Sequence, residues 1–345
     1  MKNHLLTNTS ESWEKLIKEF ESFGGIARNI IHREGAHGLG LFPIDPNQIV
    51  QLHAPEHLLV STNNIELRED KIYISDKSVH PKGFAEWYEK FQNEYSWGAE
   101  AQANIQNFEK NLKNLSTDIL NLLEELGLLN QKKRFSSANE LQNTFKRFIL
   151  SRQISWKNGV VMMPIIELVN HSPNHPGWII NKQGISVMGK YSEEVLVRYS
   201  KSDPLKRFIQ YGFNCKEEFG FSLNVRVIHN GKTVVVNGGG LNVNPLKPTK
   251  IRIKNNVIAL YQPLIGSINN PRYPRMLFQK MFKNIDGIDS DELFEQIYTA
   301  NMNSIISIIR KINTHKNKFL LELEEACLNQ LEAISSHYGN KDLTY

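Results

Sequence analysis

The chain has 345 residues, 40% apolar and 22% charged, which is the composition of a folded protein long enough for two cores and too rich in apolar residues to stay disordered. Its net charge of +5 arises from 41 basic and 36 acidic residues, with no compact basic stripe interleaved with aromatics to mark a nucleic-acid site. Cys215 and Cys327 are the only cysteines, so a disulfide framework and a four-cysteine zinc site are both excluded, and no metal is expected. Neither an apolar leader after Met1 nor an apolar run of about 18 residues occurs, so the expectation is a cytoplasmic chain without a membrane span, with secretion as an effector left open.

In chain order, Ser10 to Phe23 reads as an opening helix, with Ser10 at the cap and Trp13, Leu16, Ile17 and Phe20 at helical spacing. From Ile26 to Ser61, short β-like runs such as Ile30-Ile31 and Ile49 to Leu52 alternate with Gly and Pro. Residues 62–146 shift towards helix. Ile105, Phe108, Leu112, Leu115, Ile119, Leu122, Leu123 and Leu126 form an apolar stripe, and Ser137 to Glu140 has the spacing of a capping box ahead of Leu141, Phe145, Phe148 and Ile149. Strand-like pieces follow at Leu223 to Ile228, Thr233 to Val236 and Ile251 to Tyr261, the last with a hairpin turn at Asn255-Asn256. Asp289 to His337 returns to helix, with two amphipathic stripes running from Leu293 to Ile312 and from Phe319 to Ile334. No internal repeat is apparent.

Three segments carry a chemical signal in combination. Gly24-Gly25-Ile26 is followed by Gly35 to Phe42, which contains His37-Gly38-Leu39-Gly40. Pro164 to Pro173 contains Glu167, Asn170 and His171, and Tyr199 to Phe213 ends in Tyr211-Gly212-Phe213, 40 residues after His171. In order and spacing they resemble the SET-domain methyltransferases of the Rubisco large-subunit methyltransferase class. That resemblance implies an α+β fold: a SET-type core of short strands with a pseudoknot over residues 1–262, split by a helical insertion at about 62–146, and a C-terminal helical lobe at 263–345 for protein substrates. It also implies S-adenosylmethionine as cofactor, held by His37, Gly38, Leu39, Gly40, Arg152, Glu167, Asn170, His171 and Tyr211. Tyr211 is then the catalytic residue, and Trp178, Phe213 and Phe221 line the substrate channel.

The chemistry suits these residue types. Methylation of an amine is an in-line displacement that needs a positioned, neutral nucleophile, whereas a free lysine has a pKa of about 10.4. An apolar channel beside a sulfonium favours the neutral amine through desolvation and like-charge repulsion. Tyr211, with an ordinary pKa near 10, serves better as an orienting dipole than as a full base. Gly38 and Gly40 let the backbone approach closely, and Arg152 matches an arginine that pairs with the cofactor carboxylate. Each motif has a plainer reading: a loop at Asn170-His171, core packing at Tyr211-Gly212-Phe213 or at Trp178, a surface arginine at Arg152, and a strand brace at Glu167.

The sequence departs from the family pattern at Ser202-Asp203, where Ser-Asn is usual, and at Phe219 or Phe221, where tyrosine is common. The acceptor is therefore lysine Nε or, alternatively, histidine, whose imidazole is neutral near pH 7 without a deprotonation step. A non-catalytic peptide-binding module of the same fold is the remaining alternative. The expected partner is a protein substrate acted on by a monomer, with neither nucleic acid nor membrane as direct partner. Two strings are decoys. His53 to His57 matches H-x-x-E-H but contains Pro55, which breaks the helix a zinc site would require. Gly238-Gly239-Gly240 leads to no helix and so lacks a phosphate cradle.

Overall fold

The computed structural model describes residues 2–137, 139–237, 247, 249–312 and 317–336. It is an α+β protein made of two compact units, residues 1–109 with 137–199 and residues 110–136 with 200–345. The main boundary between these units falls after Tyr199. The physical reason is that helix Lys318–Ser335 packs on helix Pro204–Tyr211 and on the strand pair Phe219–Phe221 and Leu264–Ser267, which binds these segments into one core.

The first unit is assembled from small sheets. Strands Ile26–Arg28, Val50–Pro55, Gly184–Gly189 and Ile179–Asn181 form an antiparallel sheet in that order, so residues as far apart in sequence as Val50 and Gly189 are neighbours. Hairpin Ile30–Gly35 with Gly38–Pro43, a three-stranded sheet, hairpin Ile65–Arg68 with Lys71–Ile74, and the parallel pair Asn170–His171 with Leu196–Val197 complete it. Alternation is clean in Val50–Pro55, where Val50, Leu52 and Ala54 are buried and the residues between them are half-buried, as a half-buried strand requires. The opening helix runs from Lys2 to Ser22, starting eight residues earlier than expected. Its Trp13, Leu16 and Phe20 enter an aromatic core in which Phe20 stacks on Trp87 at 5.2 Å and Trp87 on Phe91 at 5.6 Å.

The expected helical insertion begins as β structure, since its first segment holds the Ile65–Arg68 hairpin and helix starts only at Phe84. The continuous stripe from Ile105 to Leu126 is cut in two. Ser116 accepts a hydrogen bond from the Ile119 N–H and so caps a new helix, Thr117–Glu125, after Gln102–Lys113 ends. Helix Glu140–Arg152 is capped by Asn139, whose Oδ1 accepts from the Leu141 and Gln142 N–H groups, and not by Ser137. The decoy histidines divide between a strand and a 3-10 turn: His53 Nδ1 pairs with Ser186 Oγ at 2.8 Å and His57 Nε2 with the Phe23 carbonyl at 3.0 Å.

In the second unit, strands Val225–His229, Lys232–Asn237, Val257–Tyr261 and Ile251–Lys254 form a sheet in that order. The last two are the expected hairpin, turning at Asn255 with φ of 51°. Gly238 to Gly240 lies outside the described residues, as does His337. Gly266 shows how closely helix and strand approach, because a Cβ there would lie 2.1 Å from the Ala333 carbonyl oxygen.

Candidate functional site

Within the first unit, two segments 130 residues apart meet at the side chain of Asn170. Strand Gly38–Pro43 leaves the tight turn at exposed His37 through Gly38, whose φ of 84° suits glycine. Asn170 donates from Nδ2 to the Leu39 carbonyl at 3.1 Å and to Glu194 Oε1 at 2.7 Å. The Val195 N–H donates to the Leu41 carbonyl at 2.8 Å, so the Glu194 loop is tied to the same strand. A Cβ on Gly40 would lie 2.4 Å from Glu194 Oε1 and 2.7 Å from Asn170 Nδ2. Gly40 thus makes room for these two side chains, whereas the sequence reading had it making room for a ligand. Glu194 had no signal in the sequence, because its loop position matches no motif.

The backbone leading to Asn170 is strained. Ile165 is fully buried and adopts φ 66° and ψ −49°, a positive-φ γ-turn closed by the Ile166 N–H on the Pro164 carbonyl at 2.8 Å. A β-branched residue in this conformation costs on the order of 1–3 kcal/mol and persists only when its surroundings hold it. The 3-10 turn Ile166–Leu168 then feeds the short parallel strand Asn170–His171. His171 Nδ1 accepts from the Tyr199 N–H at 3.1 Å, and the Tyr199 hydroxyl donates to the Val169 carbonyl at 2.7 Å. Tyr199 is flanked by the His171 ring at 5.1 Å and by the Trp178 ring, stacked at 5.7 Å. Trp178 is therefore half-buried against Tyr199, which the sequence reading had left without a role.

Glu167 braces the interior. One carboxylate oxygen accepts from Gln92 Nε2 at 2.8 Å and from Ser96 Oγ at 2.7 Å, while the other has no partner. Burial pushes its pKa up to about 6, against the opposing effects of the Ser96 hydrogen bond and the Arg152 charge. Of the two roles the sequence left open, ligand and brace, these hydrogen bonds are the kind a brace makes. Gln92 and Ser96 lie at the end of helix Phe84–Tyr95, and a buried acceptor in a distant segment leaves no local sequence pattern. Arg152 ends helix Glu140–Arg152 with its guanidinium 4.5 Å from the Phe148 ring and its Nε buried without a partner. Burial lowers its pKa, and the charges of Glu167 and Tyr199 oppose that shift. An arginine in this setting is no ordinary surface arginine.

In the second unit, Tyr211 is the last residue of helix Pro204–Tyr211. Gly212 closes the helix with φ of 81°, its N–H on the Phe208 carbonyl at 2.8 Å, a left-handed C-terminal turn. Arg207 is fully buried, donates to Glu217 and to the Ser200 carbonyl, and lies 5.3 Å from the Tyr211 ring, and Phe213 lies 6.0 Å from the same ring. Asp203, the unusual residue after Ser202, accepts the Phe221 N–H and a hydrogen bond from Gln330 Nε2 at 3.1 Å, and pairs with Lys206 at 3.2 Å. Phe221 is 1% exposed and packs in a core cluster with Phe219, Leu264 and Leu277.

No family model and no curated protein matches this sequence. Among solved structures, the chain is similar to the SET domain of LSMT bound to lysine and AdoHcy, at 13% identity and a TM-score of 0.39, covering 96% of this chain and 91% of that one. It is also similar to Rubisco LSMT bound to sinefungin and monomethyllysine, at 13% identity and a TM-score of 0.38, covering 94% and 90%. A third similar structure is Rubisco LSMT bound to AdoMet, at 13% identity and a TM-score of 0.37, covering 92% and 90%.

Proposed function

We propose that this chain is an S-adenosylmethionine-dependent protein N-methyltransferase of SET type, acting on lysine Nε. The observation that carries the reading is the hydrogen bond from Asn170 Nδ2 to the Leu39 carbonyl, which joins two of the three sequence segments. Their order and spacing in the chain supply the rest. The donor set suits the amino-acid end of the cofactor: with both Asn170 N–H groups engaged, its Oδ1 is left to accept from an ammonium. The partnerless Nε of Arg152 is a buried cationic donor that suits a carboxylate.

When bound, the cofactor supplies a sulfonium methyl group. Tyr211 then orients the acceptor amine through its hydroxyl, with its ring placed by Arg207 and Phe213 and its helix stopped by Gly212. Phe213 and Trp178 keep the channel role that the resemblance implies, whereas Phe221 is 1% exposed in the core of its own unit. The proposed substrate is a protein, met by a monomer in the cytoplasm; among the described residues no helix is long and apolar enough to cross a membrane.

The test is incubation of the protein with tritiated S-adenosylmethionine and cell lysate, followed by mass spectrometry of the labelled band. Label on lysine supports the reading, and label on histidine moves the acceptor to the imidazole. Calorimetric binding of the cofactor without any label would leave a peptide-binding module of the same fold.

A further inference from the structure

The charge of this chain is unevenly distributed. Residues 219–285 contain ten Lys and Arg and no Asp or Glu, leaving 31 basic against 36 acidic residues elsewhere, so the segment carries the whole positive excess of the protein. Its four-stranded sheet buries one face, with Val234, Val236, Ile258 and Leu260 all fully buried. Register places Arg226 opposite Val235, Ile228 opposite Thr233, Val235 beside Ala259, and Arg252 opposite Ala259 on the other face. Lys254 opposite Val257, and Tyr261, extend that same face.

This outer face is open: Ile228 is 63% exposed, Val257 41% and Tyr261 39%. Arg226, Arg252 and Lys254 are exposed and have no carboxylate partner among the described residues. Arg252 leans over the Tyr261 ring at 5.7 Å. An aliphatic strip bordered by three unpaired cations is unlike an ordinary solvated strand face, which alternates both charge signs with polar residues.

We propose that this face is a docking surface for an acidic segment of a partner protein, which lays an aliphatic side chain on Ile228, Val235 and Val257 and sets carboxylates against Arg226, Arg252 and Lys254. Strands spaced about 4.8 Å apart and five residues long make a face of roughly 14 by 17 Å, the size of one peptide segment and too small for a globular interface. The lack of acids over the whole segment supplies the charge complementarity. Nucleic acid fits less well, because the centre of the face is β-branched aliphatic and Tyr261 is its one aromatic, whereas base stacking needs aromatic platforms. The inference does not depend on the methyl-transfer reading.

The experiment is fluorescence anisotropy with the full chain and a fluorescein-labelled peptide carrying glutamates around a Leu-Val pair. Control probes replace the glutamates with lysine, replace Leu-Val with Ser-Ser, or are a thymidine oligonucleotide. The acidic, apolar peptide should bind, and the double variant Arg226→Glu, Arg252→Glu should weaken it about tenfold or more. Ile228→Ser, at an exposed position, should weaken it several-fold with the circular dichroism spectrum unchanged. Cofactor titration should give the parent value in each variant, which separates failure here from failure of the methyltransferase reading. Equal binding of the lysine peptide, an unaltered affinity in both variants, or tighter binding of the oligonucleotide would overturn the proposal. So would a dimer in size-exclusion chromatography that Ile228→Ser converts to monomer.

Discussion

Asn170 and Tyr211 divide the proposed chemistry into binding and turnover, and single substitutions should separate them. Asn170→Ala removes the donor shared by Leu39 and Glu194, leaving two part-buried acceptors unpaired at a cost of about 1 kcal/mol or more. Calorimetry should show cofactor affinity falling about tenfold or more, and a parent-like dissociation constant would remove the pocket from this position. Tyr211→Phe keeps the ring against Arg207 and Phe213 but removes the hydroxyl. Turnover should drop about a hundredfold with cofactor affinity unchanged, since the contact counts mainly in the transition state. Glu167 has a different signature. Its pKa rises from 4.5 to about 6 on folding, so the folded state holds the proton longer and stability falls as pH rises between those values, by about 2 kcal/mol. His32, stacked on Trp13 at 5.3 Å, is lowered by burial from 6.5 to about 4. Its contribution is complete above pH 6.5 and is lost as pH falls through about 4. The two slopes oppose each other between about pH 4.5 and 6. Glu167→Gln should therefore steepen the rise of stability with pH in urea unfolding, and parallel curves for variant and parent would refute the assignment.

Two glycines test the elements that hold these residues. Gly40→Ala meets only the ends of two side chains, Glu194 Oε1 and Asn170 Nδ2, which can move apart. The fold should survive while cofactor affinity falls, because Asn170 loses its place; unchanged affinity would show that the strand and Asn170 are not coupled. Gly266→Ala meets backbone, with the Ala333 carbonyl oxygen at 2.1 Å and Ile334 Cα at 2.4 Å. Strand and helix must separate, and the urea midpoint should report a loss of about 3 kcal/mol or more. At this scale, a local signal suffices where one residue type dictates the conformation, as at the Asn255 turn. It fails where residues compete for one role. Asn139 and not Ser137 took the cap of Glu140–Arg152. Ser116 broke a stripe whose apolar spacing alone looked continuous.

For the whole molecule, the last helix is part of the core of the second unit. Helix Lys318–Ser335 places Phe319 5.6 Å from Phe208, Gln330 on Asp203 and Leu205, and its backbone on Gly266. Ending the chain at Gly287 would strip the core from the helix that carries Tyr211. Such a truncation should expose residues 200–287 to rapid trypsin digestion while the first unit resists. Protection of both regions would show that the second unit folds without these helices.

Spacing and turn chemistry by themselves determined the three segments, the hairpin at Asn255-Asn256 and the rejection of the His53 decoy, because each depends on residues near in sequence or on steric rules of one residue, while the α+β class was implied by the family resemblance those segments carry. Only the tertiary structure decided that Gly40 yields space to Glu194, that Glu167 turns inward to Gln92 and Ser96, and that Asp203 holds the Phe221 backbone. It also decided that the units divide after Tyr199. Each of these rests on a partner 18 to 154 residues away, and a hydrogen bond or a close approach across such a distance leaves no periodicity in the chain for a sequence reading to find.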